Sequence, residues 1–403
     1  MRAKFAWAVM VLCLWVFDAV GQEPMQPLPP VDEWVIVEGI DSGETFAVDM
    51  PARPSPRFFA EIDYVAYWLK PVCLKPPTLS IGDPNGAMPG VLGQPGSVLI
   101  QGGHKFEFKG ANGIKPRLAW WLNDDVGTEV EGFVLERVAA PQDVTTVNGS
   151  PPTYIVFQNP DNTDAALPFT IPGVVTGTST ATGSSRMWGI DSNLAVRWPG
   201  QPGGRLQATL LAGCRYLHLE DRVVITNRQA LVADPSQFAV GQANFSTRSQ
   251  FIGGQLGSRF GIAWERVNFD ITTKLAFGSV YLTSDVLGSP LLAGNSVLPP
   301  LVPGPVLALP SNTRSRSTSR VAVVPELNLK LRWQVTERAF VTLGYNLLYW
   351  NKVLCPGDQM DSHLNTTQLP GQGPVVGPRV PAPLLVFTDA FAHGLETGFG
   401  FNF

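Results

Sequence analysis

Apolar side chains recur at every second position over long stretches of this chain, and that period restricts the fold most. Phe269, Ile271, Leu275 and Phe277 alternate with Asn268, Asp270, Thr272 and Lys274. Leu327, Leu329, Leu331 and Trp333 alternate with Glu326, Asn328, Lys330 and Arg332. Val341, Leu343, Tyr345, Leu347 and Tyr349 alternate with Thr342, Gly344 and Asn346. Successive side chains of a strand point to opposite faces, so each segment has one apolar and one polar or small face. A buried helix would not gather Glu326, Lys330 and Arg332 on one parity.

The pattern predicts an all-β fold of ten strands, near 57–69, 113–123, 127–138, 184–198, 204–220, 246–264, 267–284, 319–333, 338–350 and 390–403. In the third, Glu129, Glu131 and Phe133 share a parity, which predicts a bulge. The connections 70–112, 139–183, 221–245, 285–318 and 351–389 are long and rich in Pro, Gly, Ser and Asn. Between them fall short turns at Asp124–Val126, Pro199–Gly203, Glu265–Arg266 and Gln334–Glu337. Antiparallel transmembrane β-barrels alternate short periplasmic turns with long external loops in this way. An even strand number leaves both chain ends on the periplasmic side.

Aromatic placement supports the same reading. Trp120, Trp198, Trp264, Trp333 and Phe403 stand near the periplasmic ends of their strands, and Tyr67, Trp68, Trp188, Tyr216 and Tyr349 near the opposite ends. Two aromatic girdles at headgroup depth suit a bilayer-embedded barrel. A soluble sandwich would not sort its Trp residues by strand end. Charged residues are only 15% of the chain, against about 25% in soluble domains. The first 21 residues read as a signal peptide: Arg2 and Lys4, then apolar Ala6–Phe17, then small Ala19 and Gly21. Residues 22–56 are rich in Pro and acids and predict an extended periplasmic segment, leaving 57–403 for the barrel.

Several stretches look distinctive together: Ala322–Leu331 (AVVPELNLKL), Gly344–Trp350 (GYNLLYW), Pro356–Asp361 (PGDQMD), Thr367–Pro370 (TQLP), Ala212–Leu217 (AGCRYL) and Gly253–Gly257 (GGQLG). With these the chain resembles the beta-barrel porin family found widely in planctomycete bacteria. The resemblance runs from about Phe58 to Phe403. It implies an outer-membrane barrel and supplies no catalytic or cofactor residues.

The remaining chemistry is sparse. A net charge of −4 gives no reason to expect nucleic-acid binding. Gly253–Gly257 does not fit a nucleotide loop, and Asp161–Asp164 lacks the Glu that a calcium loop needs. No metal or cofactor site is expected, and no enzyme. A rim hydrolase is the rival class, built on His218 beside Glu220, His363 beside Asp361, or His393 after Asp389; a loop-based adhesin is another. Cys73 and Cys355 lie just beyond the outer ends of strands 1 and 9, where one bridge is conceivable.

Inward parity gathers a lumen set of both signs: Glu61, Asp63, Asp191, Arg197, Arg215, Arg259, Asp270, Lys274, Glu326, Lys330, Arg332 and Glu396, with Asn193, Gln207 and Gln255. Buried charges must pair. About eight strands leave an interior just filled by side chains, whereas about 16–18 leave a channel. The expectation is therefore a narrow or closed, monomeric, porin-like barrel surrounded by lipid. Its terminal strand, with Phe399, Phe401 and Phe403, resembles the signal read by the outer-membrane assembly machinery.

Overall fold

The computed structural model describes residues 57–198, 205–293, 306–369 and 372–403. The signal peptide (1–21), the Pro-rich segment (22–56) and the Pro199–Gly203 turn lie outside these residues.

In chain order the strands are β1 (Phe58–Leu69), β2 (Cys73–Ile81), β3 (Val98–Lys105), β4 (Ala111–Trp121), β5 (Val126–Leu135), β6 (Val138–Thr145), β7 (Thr153–Gln158), β8 (Asp164–Pro168), β9 (Val175–Arg197), β10 (Leu206–Leu231), β11 (Phe238–Trp264), β12 (Val267–Ala293), β13 (Ser315–Gln334), β14 (Ala339–Leu354) and β15 (Phe387–Asn402). Ten of them pair antiparallel in the ring β1-β4-β5-β9-β10-β11-β12-β13-β14-β15. The ring closes through β15 and β1, from Phe59↔Asn402 to Leu69↔Ala392. Closure leaves neither terminal strand with an open edge.

The last residue takes part in that seam. Phe403 N donates to Phe58 O at 2.8 Å, and the two rings lie 5.6 Å apart. Deleting Phe403 is expected to lower the membrane-inserted fraction, measured as the heat-modifiable band in outer-membrane preparations. Insertion equal to that of the intact chain would contradict it.

The outward face explains where the bilayer sits. On β11 it reads Trp264, Ile262, Phe260, Ser258, Leu256, Gly254 and Ile252, then Gln250, Arg248, Ser246, Asn244 and Gln242. On β10 it reads Leu206, Ala208, Leu210, Ala212, Cys214 and Tyr216, then His218, Glu220 and Arg222. The apolar part covers about 12 residues, which on a tilted strand spans roughly 25–30 Å. Above Tyr216 the polarity of the alternation inverts while the period stays two. Leu217, Leu219, Val223 and Ile225 now face inward and are buried.

The inversion corrects three expected loops. Residues 221–231 and 238–245 belong to β10 and β11, joined by the short segment 232–237. Residues 175–183 and 285–293 likewise extend β9 and β12. The wall therefore continues well beyond the apolar band. The connections 70–110 and 136–174 build a second sheet, β3-β2-β7-β8. Its Leu74, Leu79, Ile155 and Phe157 pack with Val223, Ile225, Ala243 and Phe245 of the wall in one buried core.

Three smaller expectations also fail. β5 pairs with β9 in unbroken register from Val126↔Val196 to Val134↔Trp188, so no bulge is present there. Tyr67 is buried and faces inward, because its neighbour Trp68 occupies the outward parity. Cys73 and Cys355 are free thiols.

Candidate functional site in the lumen

Inside the apolar band the inward parity is charged. β1 supplies Glu61 and Asp63, β4 Lys115 and Arg117, β5 Glu129 and Glu131, and β9 Asp191. β10 and β11 supply Arg215 and Arg259, and β12 Asp270 and Lys274. β13 supplies Glu326, Lys330 and Arg332, and β15 Glu396. Register fixes their levels: Glu61 faces Arg117, Asp63 faces Lys115, Arg117 faces Glu131, and Glu131 faces Asp191. Asp191 in turn faces Arg215, and Lys274 faces Glu326.

These groups form one connected network. Lys330 Nζ pairs with Glu61, with Asp63 at 2.6 Å and with Glu396 at 3.6 Å. Glu396 also takes Lys115 at 2.9 Å, and Lys115 reaches Glu131 at 3.4 Å. Lys274 bridges Glu131 at 3.0 Å and Asp191 at 3.2 Å. Arg215 joins Asp191 at 2.9 Å to Glu326. Glu129 is held by Arg117 at 2.7 Å and Arg259 at 2.9 Å. Arg332 lies 3.6 Å from Glu61 and 3.9 Å from Asp270.

Neutral groups take up further acceptor positions. The Tyr67 hydroxyl donates to Glu396, Thr342 to Asp63 at 2.6 Å, Asn346 to Glu326 at 2.7 Å, and Asn328 to Glu396 at 2.9 Å. Asn193 donates to Asp191 at 2.8 Å, and Gln255 to Asn193. Such satisfaction is what allows charge to persist in a poorly hydrated interior. Two described gaps among these side chains measure about 10 Å³ each. That is room for about one water.

Both ends of the network are bounded by rings. On the periplasmic side Arg117 lies 5.0 Å from the Phe59 ring centroid and Arg332 4.8 Å from that of Phe340. Phe59 and Phe340 are 6.2 Å apart. On the other side Val65, Tyr67, Leu135, Met187, Leu217, Phe251, Val280 and Trp350 form a buried apolar layer across the lumen. The second sheet and its core lie beyond.

Of the twelve charged residues expected to form the lumen network, eleven meet in it. Arg197 does not. It sits at the periplasmic rim, 3.7 Å from the Trp121 ring centroid, with its guanidinium donating to Asp124 O at 2.8 Å. Its parity was right, but its level lies below the charged layer. Gln207 is exposed at the same rim. Sequence reasoning missed Lys115, Arg117, Glu129 and Glu131. The parity of β4 could have found the first two, since Leu118 and Trp120 fix the opposite face as outward. Girdle residues Trp68, Trp120, Trp198, Trp264 and Trp333 are exposed on the outer wall, Trp188 and Tyr349 half-buried there. Phe399, Phe401 and Phe403 are exposed on the same wall.

Comparison with known proteins gives the following. A family model described as "Putative beta barrel porin-7" matches residues 59–403. No curated protein matches. Among solved structures, the outer membrane protease OmpT of Escherichia coli is 8% identical, with 86% of this chain and 96% of that chain covered and a TM-score of 0.39. The toluene transporter TodX of P. putida is 10% identical, covering 87% and 91% at a TM-score of 0.22. An anion-selective porin from Comamonas acidovorans is 11% identical, covering 86% and 98% at 0.16.

Proposed function

Since the chain belongs to this beta-barrel porin family of the bacterial outer membrane, we propose that it is a porin-type barrel whose lumen is narrow or closed, with a structural or loop-mediated role. The observation that carries this reading is the charge network. It spans the interior from β1 to β13, and the two gaps described among its side chains measure about 10 Å³ each. A hydrated solute needs an open path, and ten strands leave little more than side-chain room.

We assign it no catalytic activity. His218 stacks on Trp188 with centroids 5.4 Å apart, and His393 stacks on Trp68 at 5.8 Å. Both rings are girdle elements on the outer wall. His393 Nδ1 and the Tyr345 hydroxyl are 2.8 Å apart. A hydrolase would instead direct such a ring toward a carboxylate in a cleft. The third ring, His363, does meet Asp361 at 2.7 Å. Its other nitrogen is 2.9 Å from Asn162 Oδ1, and Asp361 also accepts from Ala382 N at 2.6 Å, so the pair ties loops together. The barrel is taken to act as a monomer, folded into lipid by the outer-membrane assembly machinery.

Recordings of the unmodified protein in planar bilayers test the proposal. The expected result is no steady conductance. Large, steady, weakly selective currents would overturn it. A second reading, a receptor or adhesin platform, is favoured by one observation: the outer connections fold into the packed sheet β3-β2-β7-β8 over the wall's own core.

A further inference from the structure

Pairing register sorts the outer wall into rows. Trp188, His218, Gln250 and Tyr281 lie in one row across β9, β10, β11 and β12. This row tops the apolar band, and below it Ile190 and Ile252 are exposed. The next row away from the membrane is Arg186, Glu220 and Arg248. The row beyond is Ser184, Arg222, Ser246 and Asp285. From the link between β5 and β6, Arg137 reaches Glu220 with N–O at 3.0 Å.

Four exposed arginines thus surround one carboxylate, with Asp285 at the margin. Glu220 is engaged by Arg137. Among the described residues Arg186, Arg222 and Arg248 make no ion pair, and Arg222 Nε donates only to Asn244 at 2.8 Å. Arg222 stands diagonally across from Arg186 and Arg248, and at that spacing of about 7–8 Å exposed like charges repel unless an anion joins them. Guanidinium is the group best shaped to bind phosphate oxygens in pairs. Headgroup depth is also where basic side chains meet lipid phosphate.

We propose that Arg186, Arg222 and Arg248 bind the phosphate headgroup of an outer-leaflet lipid whose acyl chains lie along Ile190 and Ile252. The three guanidinia supply the charge, and the apolar band supplies the depth. The site is independent of whether the lumen conducts. It rests on the end with the long connections facing outward.

Diphosphoryl lipid A serves as the probe, added to the full-length protein in detergent and followed by native mass spectrometry. The wild type is expected to retain it, and the triple variant Arg186→Gln, Arg222→Gln, Arg248→Gln to bind at least about tenfold more weakly. A control variant, Arg266→Gln with Arg338→Gln at the opposite end, is expected to bind as the wild type does. Heat-modifiable migration verifies that each variant is folded, and the substituted side chains are exposed, so folding is not at risk. Equal retention by wild type and triple variant would overturn the proposal. So would displacement by inorganic phosphate at concentrations equal to the lipid, which would mark a simple anion site. Equal retention of phosphatidylcholine lacking net charge would count against it in the same way.

Discussion

Replacing Lys330 by Ala is expected to destabilise the barrel by about 3–5 kcal/mol, the range for removing one partner of a buried charge group. Lys330 Nζ is the shared cation of Glu61, Asp63 and Glu396. The three carboxylates have side chains 0%, 1% and 0% exposed. After the substitution Asp63 keeps the Thr342 hydroxyl at 2.6 Å, and Glu61 keeps Arg332 only at 3.6 Å. Glu396 keeps Lys115 at 2.9 Å, so Glu61 and Asp63 are the neighbouring carboxylates left without a close cation. Lys330→Met, which retains volume without charge, is expected to lose nearly as much, and adding Glu61→Gln to it to recover part of the loss. Equilibrium urea unfolding in lipid bilayers measures all three. A Lys330→Ala loss under about 1 kcal/mol would show a hydrated, open interior in which the charge is screened.

Replacing Trp350 by Ala is expected to cost a similar amount, about 3–5 kcal/mol, for a different reason. Trp350 is fully buried, with its ring edge-on to Phe251 at 6.1 Å. It belongs to the apolar layer that lies directly over the charges. Truncation leaves a void that neighbours drawn from rigid strands cannot collapse into. The same void opens toward the charged layer, so the variant is also expected to pass small leak currents that the wild type does not. The unfolding series above and bilayer recordings check both effects. A stable, silent variant would show that the layer is loosely packed and that the seal lies elsewhere.

The ten-strand ring was readable because outward side chains in the bilayer zone must be apolar, and β12, β13 and β14 alternate almost without fault. Two features were not readable on that criterion. Phe133 shares a parity with Glu129 and Glu131, and this suggested a bulge. The structure instead shows a lumen that changes character along its axis, charged at Glu131 and apolar two residues later. β1 makes the same change between Asp63 and Val65. The second feature is the wall above the bilayer. There the outward face turns polar, as at Glu220 and Arg222, and the inward face apolar, as at Val223 and Ile225. Apolar outward residues end at Tyr216, but the strand runs on to Leu231. A search for either sign of alternation would have followed it. The second sheet was hidden for a third reason. Lys75-Pro76-Pro77 interrupts β2, and its pairing with β3 shifts register at Leu74/Pro77, Pro77/Leu79 and Leu79/Ser80. Arg197 shows the limit of parity alone: it assigns a face but no depth.

Lys330 and Glu61 are 269 residues apart in sequence. In the sheet before closure they would stand on strands seven steps apart, at about 4.8 Å per step, roughly 34 Å. Their contact cannot exist until the sheet curls and β15 finds β1. Until then every lumen charge lies on an open surface where water serves it well, which keeps the unfinished sheet soluble and discourages early burial. Contacts between neighbouring strands, such as Arg117–Glu129 and Arg215–Asp191, need no closure, but the part of the network that crosses the lumen is a late event in biogenesis. It changes from a solubilising surface to an internal clasp at the moment the last strand docks, so the finished barrel is set apart from its precursors by the step that completes it.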